Sequence, residues 1–232
     1  MGEISSDDEQ IFSRFDYIAP REPVIKADSV ISYDNRFHIR LAQDISGGCG
    51  GVTWQVANVM MDYIIWKNDM LQGDLFRDKK LVEIGAGTGL VSIATAMACP
   101  SVKEIVMTDI IVMMDLMNEN IKLNGANDKV TAQVYKWGEE TEESATLTNA
   151  DVILVSDCIY LEVAFRPLLD ALLYLSNKNT DIYVTYQKRR KADKRFFQMA
   201  RKVFDIVEIQ DDPKRLEYRK KAQYFYLFKR KI

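Results

Sequence analysis

From Leu81 onward the chain alternates short apolar runs with stretches of helical period, and that alternation leaves few folds open. Leu81 to Ile84, Glu104 to Thr108, Val130 to Tyr135, Val152 to Ser156 and Asp181 to Tyr186 read as strands. Leu90 to Ala98, Met113 to Asn124, Phe165 to Ser176 and Ala192 to Phe204 carry apolar residues at helix spacing. Ile206 to Gln210 and Tyr224 to Phe228 end the series as strands with no helix between them, which predicts a closing antiparallel pair. The count of seven strands predicts an α/β fold: a mostly parallel sheet with helices on both faces, binding ligands beyond the carboxyl ends of its strands.

Ahead of the alternation, Trp54, Val56, Val59, Met60, Tyr63, Ile64 and Trp66 predict a helix over 53–66. Val30 to Leu41 reads as a hairpin extension turning at Asp34-Asn35, followed by the glycine-rich loop Ser46 to Gly51. Residues 1–23, acidic at the start and holding Pro20 and Pro23, are expected to form a flexible tail, and 24–232 a single domain. The acidic stretch Glu139 to Glu143 reads as a solvated turn.

Composition removes several functional classes. With 232 residues, 47% of them hydrophobic, the chain can enclose one sizeable core. It has no run approaching the roughly 18 apolar residues of a membrane span, and its acidic N-terminus is unlike a signal peptide, so the expected location is cytoplasmic. Cys49, Cys99 and Cys158 are odd in number and scattered, as free thiols are. The single histidine, His38, reads as a hairpin residue, and no metal site is expected. A net charge of −3 provides no overall pull towards nucleic acid, and no nucleic-acid partner is expected.

The chemistry concentrates at Val82-Glu83-Ile84-Gly85-Ala86-Gly87-Thr88-Gly89-Leu90, a strand that turns through three glycines into a helix. The spacing is G-x-G-x-G, whereas a dinucleotide turn needs G-x-G-x-x-G, and Leu90 stands where its third glycine would be. Glu83 beside the loop suits a ligand bearing an ammonium and a sulfonium and repels a pyrophosphate. A turn with no ligand and a nicotinamide site are the competing readings of the loop. Asp109 ends the next strand 24 positions after Gly85, where an acid can accept both hydroxyls of a ribose. Trp137 follows the third strand and is suited to walling an adenine, although a purely structural core tryptophan would look the same. Asp157 and Tyr160 sit just past the fourth strand, where an acid can orient an incoming ammonium and a tyrosine can wall its channel; an ordinary helix-start region is the bland alternative. The basic run Lys188 to Lys194, with Arg195, reads equally as a solvated helix start or as a docking surface for an acidic partner.

The E-x-G-x-G-x-G run at Glu83 to Gly89 and the D-x-x-Y run at Asp157 to Tyr160 resemble the Rossmann-like seven-strand protein-lysine methyltransferases of the methyltransferase-like 21 type. The resemblance covers nearly everything from Gly48 on. The runs Gly48 to Trp54, Asp157 to Glu162 and Lys188 to Lys194 look most like the fungal branch acting on translation elongation factor 1-alpha. It implies S-adenosylmethionine as cofactor, a protein-lysine substrate on elongation factor 1-alpha, and a monomeric enzyme. It further implies that Trp54, Gly85, Ala86, Gly87, Asp109, Trp137 and Ser156 line the cofactor, with alanine in most relatives where Ser156 stands. Other outcomes stay open: another protein substrate such as a chaperone or ATPase, a nucleic-acid or small-molecule amine, or a scaffold without turnover. The base methyltransferases' proline-bearing turn is absent at Asp157-Cys158-Ile159-Tyr160, which weakens the nucleic-acid alternative.

Overall fold

A computed structural model describes residues 27–33, 36–44 and 49–231. The expected tail, the Asp34-Asn35 turn and Ser46 to Gly48 lie outside the described residues.

Two strands come first: β1 (Ala27–Tyr33) and β2 (Phe37–Gln43) pair antiparallel, with Tyr33 opposite Phe37. The hairpin docks on the body through β2, where Ile39 and Leu41 are fully buried. Helix α1 (Gln55–Met70) follows, starting at Trp54 and running four residues beyond its expected end. Then come β3 (Lys80–Ile84), α2 (Leu90–Ala98), β4 (Glu104–Asp109), α3 (Met114–Leu123), β5 (Val130–Val134) and the short α4 (Glu142–Ala145). The second half is β6 (Val152–Ser156), α5 (Phe165–Leu175), β7 (Asp181–Gln187), α6 (Asp193–Ala200), β8 (Phe204–Glu208), α7 (Arg215–Lys220) and β9 (Gln223–Arg230).

The main sheet has seven strands in the order β5-β4-β3-β6-β7-β9-β8. Pairs from β5 through β7 are parallel, and β9 lies antiparallel between β7 and β8. Chain order reverses at β3, whose neighbours are β4 and β6, so a crevice opens beyond the ends of these three strands. Side chains along β3 alternate faces: Leu81 joins the core under α1, α2 and α3, while Val82 and Ile84 join the core under α5 and α6. Burial of both faces explains why these strands read as continuous apolar runs.

Three expectations change. The stretch expected to be a solvated acidic turn contains the helical turn α4, because Thr141 and Ser144 exchange side-chain-to-backbone hydrogen bonds in a capping box that begins it. The closing strands do have a helix between them, α7; Tyr218 is its buried residue and donates to Asp62 on α1. The helix expected over Ala192 to Phe204 ends at Ala200, and Phe204, fully buried, begins β8.

Candidate active site

The crevice at the reversal point is a cavity of about 450 Å³. All ten residues singled out from the sequence line it: Trp54, Glu83, Gly85, Ala86, Gly87, Asp109, Trp137, Ser156, Asp157 and Tyr160. Val52, Thr53, Ile110, Met113 and Leu161 also line it and were not anticipated; the first two follow the glycine-rich loop and the next two follow Asp109, so adjacency to known site residues was their only signal.

The glycine turn forms one end. Gly85 and Gly87 have φ of +64° and +58°, the left-handed region. A Cβ on Gly85 would stand 2.9 Å from the Trp137 ring, and one on Gly87 would stand 2.5 Å from the carbonyl oxygen of Gly50. The turn therefore has room for backbone only, packed between Trp137 and the Cys49–Gly51 turn that precedes α1. Asp109 clamps it from β4: its carboxylate accepts from the Gly87 N–H at 2.8 Å and from the Ile110 N–H at 2.8 Å. Burial raises the Asp109 pKa, and these two N–H donors oppose that rise.

Glu83 is 1% exposed and accepts from the Ser92 N–H at 2.9 Å and the Ser92 hydroxyl at 2.5 Å. One carboxylate oxygen thus satisfies a free N–H in the first turn of α2. Burial pushes the Glu83 pKa up to about 8, against the opposing pull of Ser92.

The other end is built from side chains. Asp157 follows β6 with φ +58° and takes its backbone hydrogen bond from N–H to the Thr185 carbonyl of β7. Its side chain, 6% exposed, receives a bidentate ion pair from Arg189 at 2.7 and 2.5 Å. The Arg189 guanidinium also lies 5.6 Å from the ring centroid of Trp54, which is 47% exposed at the start of α1. Cys158, buried beside the acid, has its thiol pKa raised by desolvation first and by neighbouring carboxylates second. The basic run is thus neither wholly solvated nor wholly a docking face. Arg189 is spent on Asp157, Arg195 pairs with Glu162, and Asp193 within the run is buried, accepting from the Tyr186 hydroxyl at 2.7 Å and from the Arg189 and Arg190 N–H groups.

Three carboxylates line the cavity, and no lysine, arginine or histidine is among the described residues that do. A phosphate-bearing cofactor would meet repulsion there, whereas a ligand carrying an ammonium and a sulfonium would meet attraction. A family described as lysine methyltransferase matches residues 34–203. The chain belongs to the lysine methyltransferase family. Among its relatives, the protein-lysine N-methyltransferase EFM6 of Saccharomyces cerevisiae is 31% identical over 96% of this chain and 100% of its own length. The protein N-lysine methyltransferase METTL21A of Xenopus tropicalis is 31% identical over 71% of this chain and 73% of its own. The EEF1A lysine methyltransferase 3 of Mus musculus is 29% identical over 74% and 73%. Among solved structures, SMU.776 in complex with SAH superposes with a TM-score of 0.57 at 12% identity over 87% of this chain. The pyocyanin biosynthetic protein PhzM gives 0.53 at 19% identity over 75%. The chain spans only 56% and 55% of those two structures, and they bear on the fold alone.

The cofactor of this lysine methyltransferase is S-adenosylmethionine. The residues present fit it: a backbone-only glycine cradle, an acid beside that cradle, a half-buried tryptophan against it and a lining free of cations among the described residues.

Proposed function

We propose that this protein methylates a lysine side chain of translation elongation factor 1-alpha, acting as a cytoplasmic monomer. The cavity lining, which among the described residues holds acids and no cation, carries the reading, because both reactants, a sulfonium nucleoside and a lysine, arrive as cations. Likeness to relatives whose names specify protein lysines, one of them EEF1A, supports the substrate.

Bound S-adenosylmethionine supplies an electrophilic methyl group on sulfur. In this reading Asp109 accepts the ribose hydroxyls with the lone pairs left by Gly87 and Ile110, and Trp137 walls the adenine. Gly85, Ala86 and Gly87 offer backbone close to the amino-acid part, and Glu83 lies beside the same region, held by Ser92. Ser156 and Trp54 complete the lining. At the far end Asp157 orients the lysine nitrogen, and Tyr160 narrows its channel. A free lysine of pKa near 10.4 costs about 4.6 kcal/mol to deprotonate at pH 7, so exclusion of water and local charge at this end govern the rate.

Radiolabelled S-adenosylmethionine, incubated with the purified protein and a lysate from cells lacking it, tests the proposal. The expected label is on a lysine of elongation factor 1-alpha, mapped by mass spectrometry. Label on RNA, or on a chaperone with none on the elongation factor, overturns the substrate assignment.

A further inference from the structure

An acid that merely attracts the substrate lysine would work against the reaction. Asp157 with its charge unbalanced would favour the ammonium form of an incoming lysine, whereas attack requires the neutral amine and its lone pair. The structure already supplies the counterweight. Arg189 takes both Asp157 oxygens in a fork, and the Gln187 N–H also donates to Oδ1 at 3.4 Å, so that Oδ2 keeps the lone pair that can accept a further N–H. Arg189, which is not among the residues lining the cavity, balances the acid.

Its placement is braced at three points. The Arg189 backbone N–H is held at 3.1 Å by Asp193, itself anchored by the Tyr186 hydroxyl, and the guanidinium rests over Trp54. Sheet register supplies the rest: Ser156 pairs with Thr185, so Asp157 and Arg189 leave neighbouring strands at the same edge. Several other titratable groups near Asp157 are acidic or uncharged, and Lys188 and Arg190 flank Arg189 in the chain. The acidic or uncharged ones include Cys158 and Tyr160 from its own loop, Glu83 and Asp109 from β3 and β4, and Tyr186 and Asp193 from β7 and the start of α6. Arg195 of α6 is paired with Glu162.

We propose that Arg189 is a positioning residue that neutralises Asp157, so that the lysine nitrogen is oriented by the carboxylate without being held as an ammonium. The proton would leave the lysine for water before transfer, and the freed lone pair would form the new nitrogen–carbon bond as the sulfur–methyl bond breaks, its electron pair staying on the sulfur of the departing S-adenosylhomocysteine. This inference rests on the lysine-methylating function proposed above.

The test is the pH profile of kcat at saturating protein substrate for the wild type, Arg189→Gln and Arg189→Lys. The wild-type rate rises with pH as the bound lysine deprotonates. Arg189→Gln is expected to move that limb alkaline by about 1 pH unit or more, lowering kcat about tenfold on the rising limb and recovering as the pH increases, with KM for the protein substrate unchanged or lower. Arg189→Lys, which keeps the charge, leaves the limb within a few tenths of its place. Calorimetric affinity for S-adenosylmethionine stays within about twofold in both variants, because Arg189 lies outside the cavity lining. An unmoved limb in Arg189→Gln, a rate that rises at neutral pH, or a loss of rate with raised KM that Arg189→Lys shares would overturn the proposal. Absence of lysine methylation by the wild type, with cofactor binding intact, would instead refute the function on which it rests.

Discussion

The two ends of the cavity are built on different principles. At the glycine-turn end the contacts are made by backbone within one short stretch, which Asp109 clamps across a single crossover and Trp137 and Gly50 pack against. At the acceptor end nothing is local: Asp157, Arg189 and Trp54 come from three separate elements and meet only through side chains. A backbone cradle holds a ligand common to many enzymes, and side chains on the loops beyond it adapt the same cleft to one acceptor.

If the ends are separable, Asp157→Asn should reduce methyl transfer at least about 100-fold while calorimetry shows cofactor affinity within a few-fold of wild type. A parallel loss of affinity would show that the two ends act as one. Gly87→Ala strikes the opposite end. Its Cβ would meet the Gly50 carbonyl at 2.5 Å on a left-handed backbone, and the expected cost is about 2–3 kcal/mol of stability in denaturant titration, together with loss of cofactor binding. A well-folded variant with full affinity would break the idea of a backbone-only cradle. Asp109→Ala leaves two N–H groups without their acceptor and removes the proposed ribose contact, so cofactor binding should weaken by about 1–3 kcal/mol by calorimetry.

The smallest expected effect concerns pH. Glu83 is raised by burial from 4.5 to about 8, so between these values the folded protein binds a proton that the unfolded chain releases. Its contribution to stability is complete below about pH 4.5 and is lost as the pH rises through about 8. Glu83→Gln should flatten that part of the stability–pH curve measured by chemical denaturation; an unchanged slope would mean that Glu83 stays ionised in the fold.

The same contrast explains what could be read in advance. Leu90 to Ala98 and Val152 to Ser156 form the elements expected of them, because a buried helix and a buried parallel strand each leave an unbroken apolar signature. Arg215–Lys220 left none: it has one buried residue, Tyr218, and its position depends on Asp62 of α1. The α4 turn had a signal, Thr141 three residues before Ser144, but the surrounding glutamates suggested only a solvated loop. In the basic run, Asp193 is a buried acid among cations, and no local pattern distinguishes it or Arg189 from their exposed neighbours.

By itself the sequence determined the alternation of strands and helices and the glycine turn, because strand periodicity, left-handed backbone positions and an acid at a strand end are demands that neighbouring residues impose on one another. Only the tertiary structure decided that Asp157 is charge-balanced. That pairing spans 32 positions and depends on β6 and β7 lying side by side in one register, and an ion pair carries no mark in the order of residues along a chain.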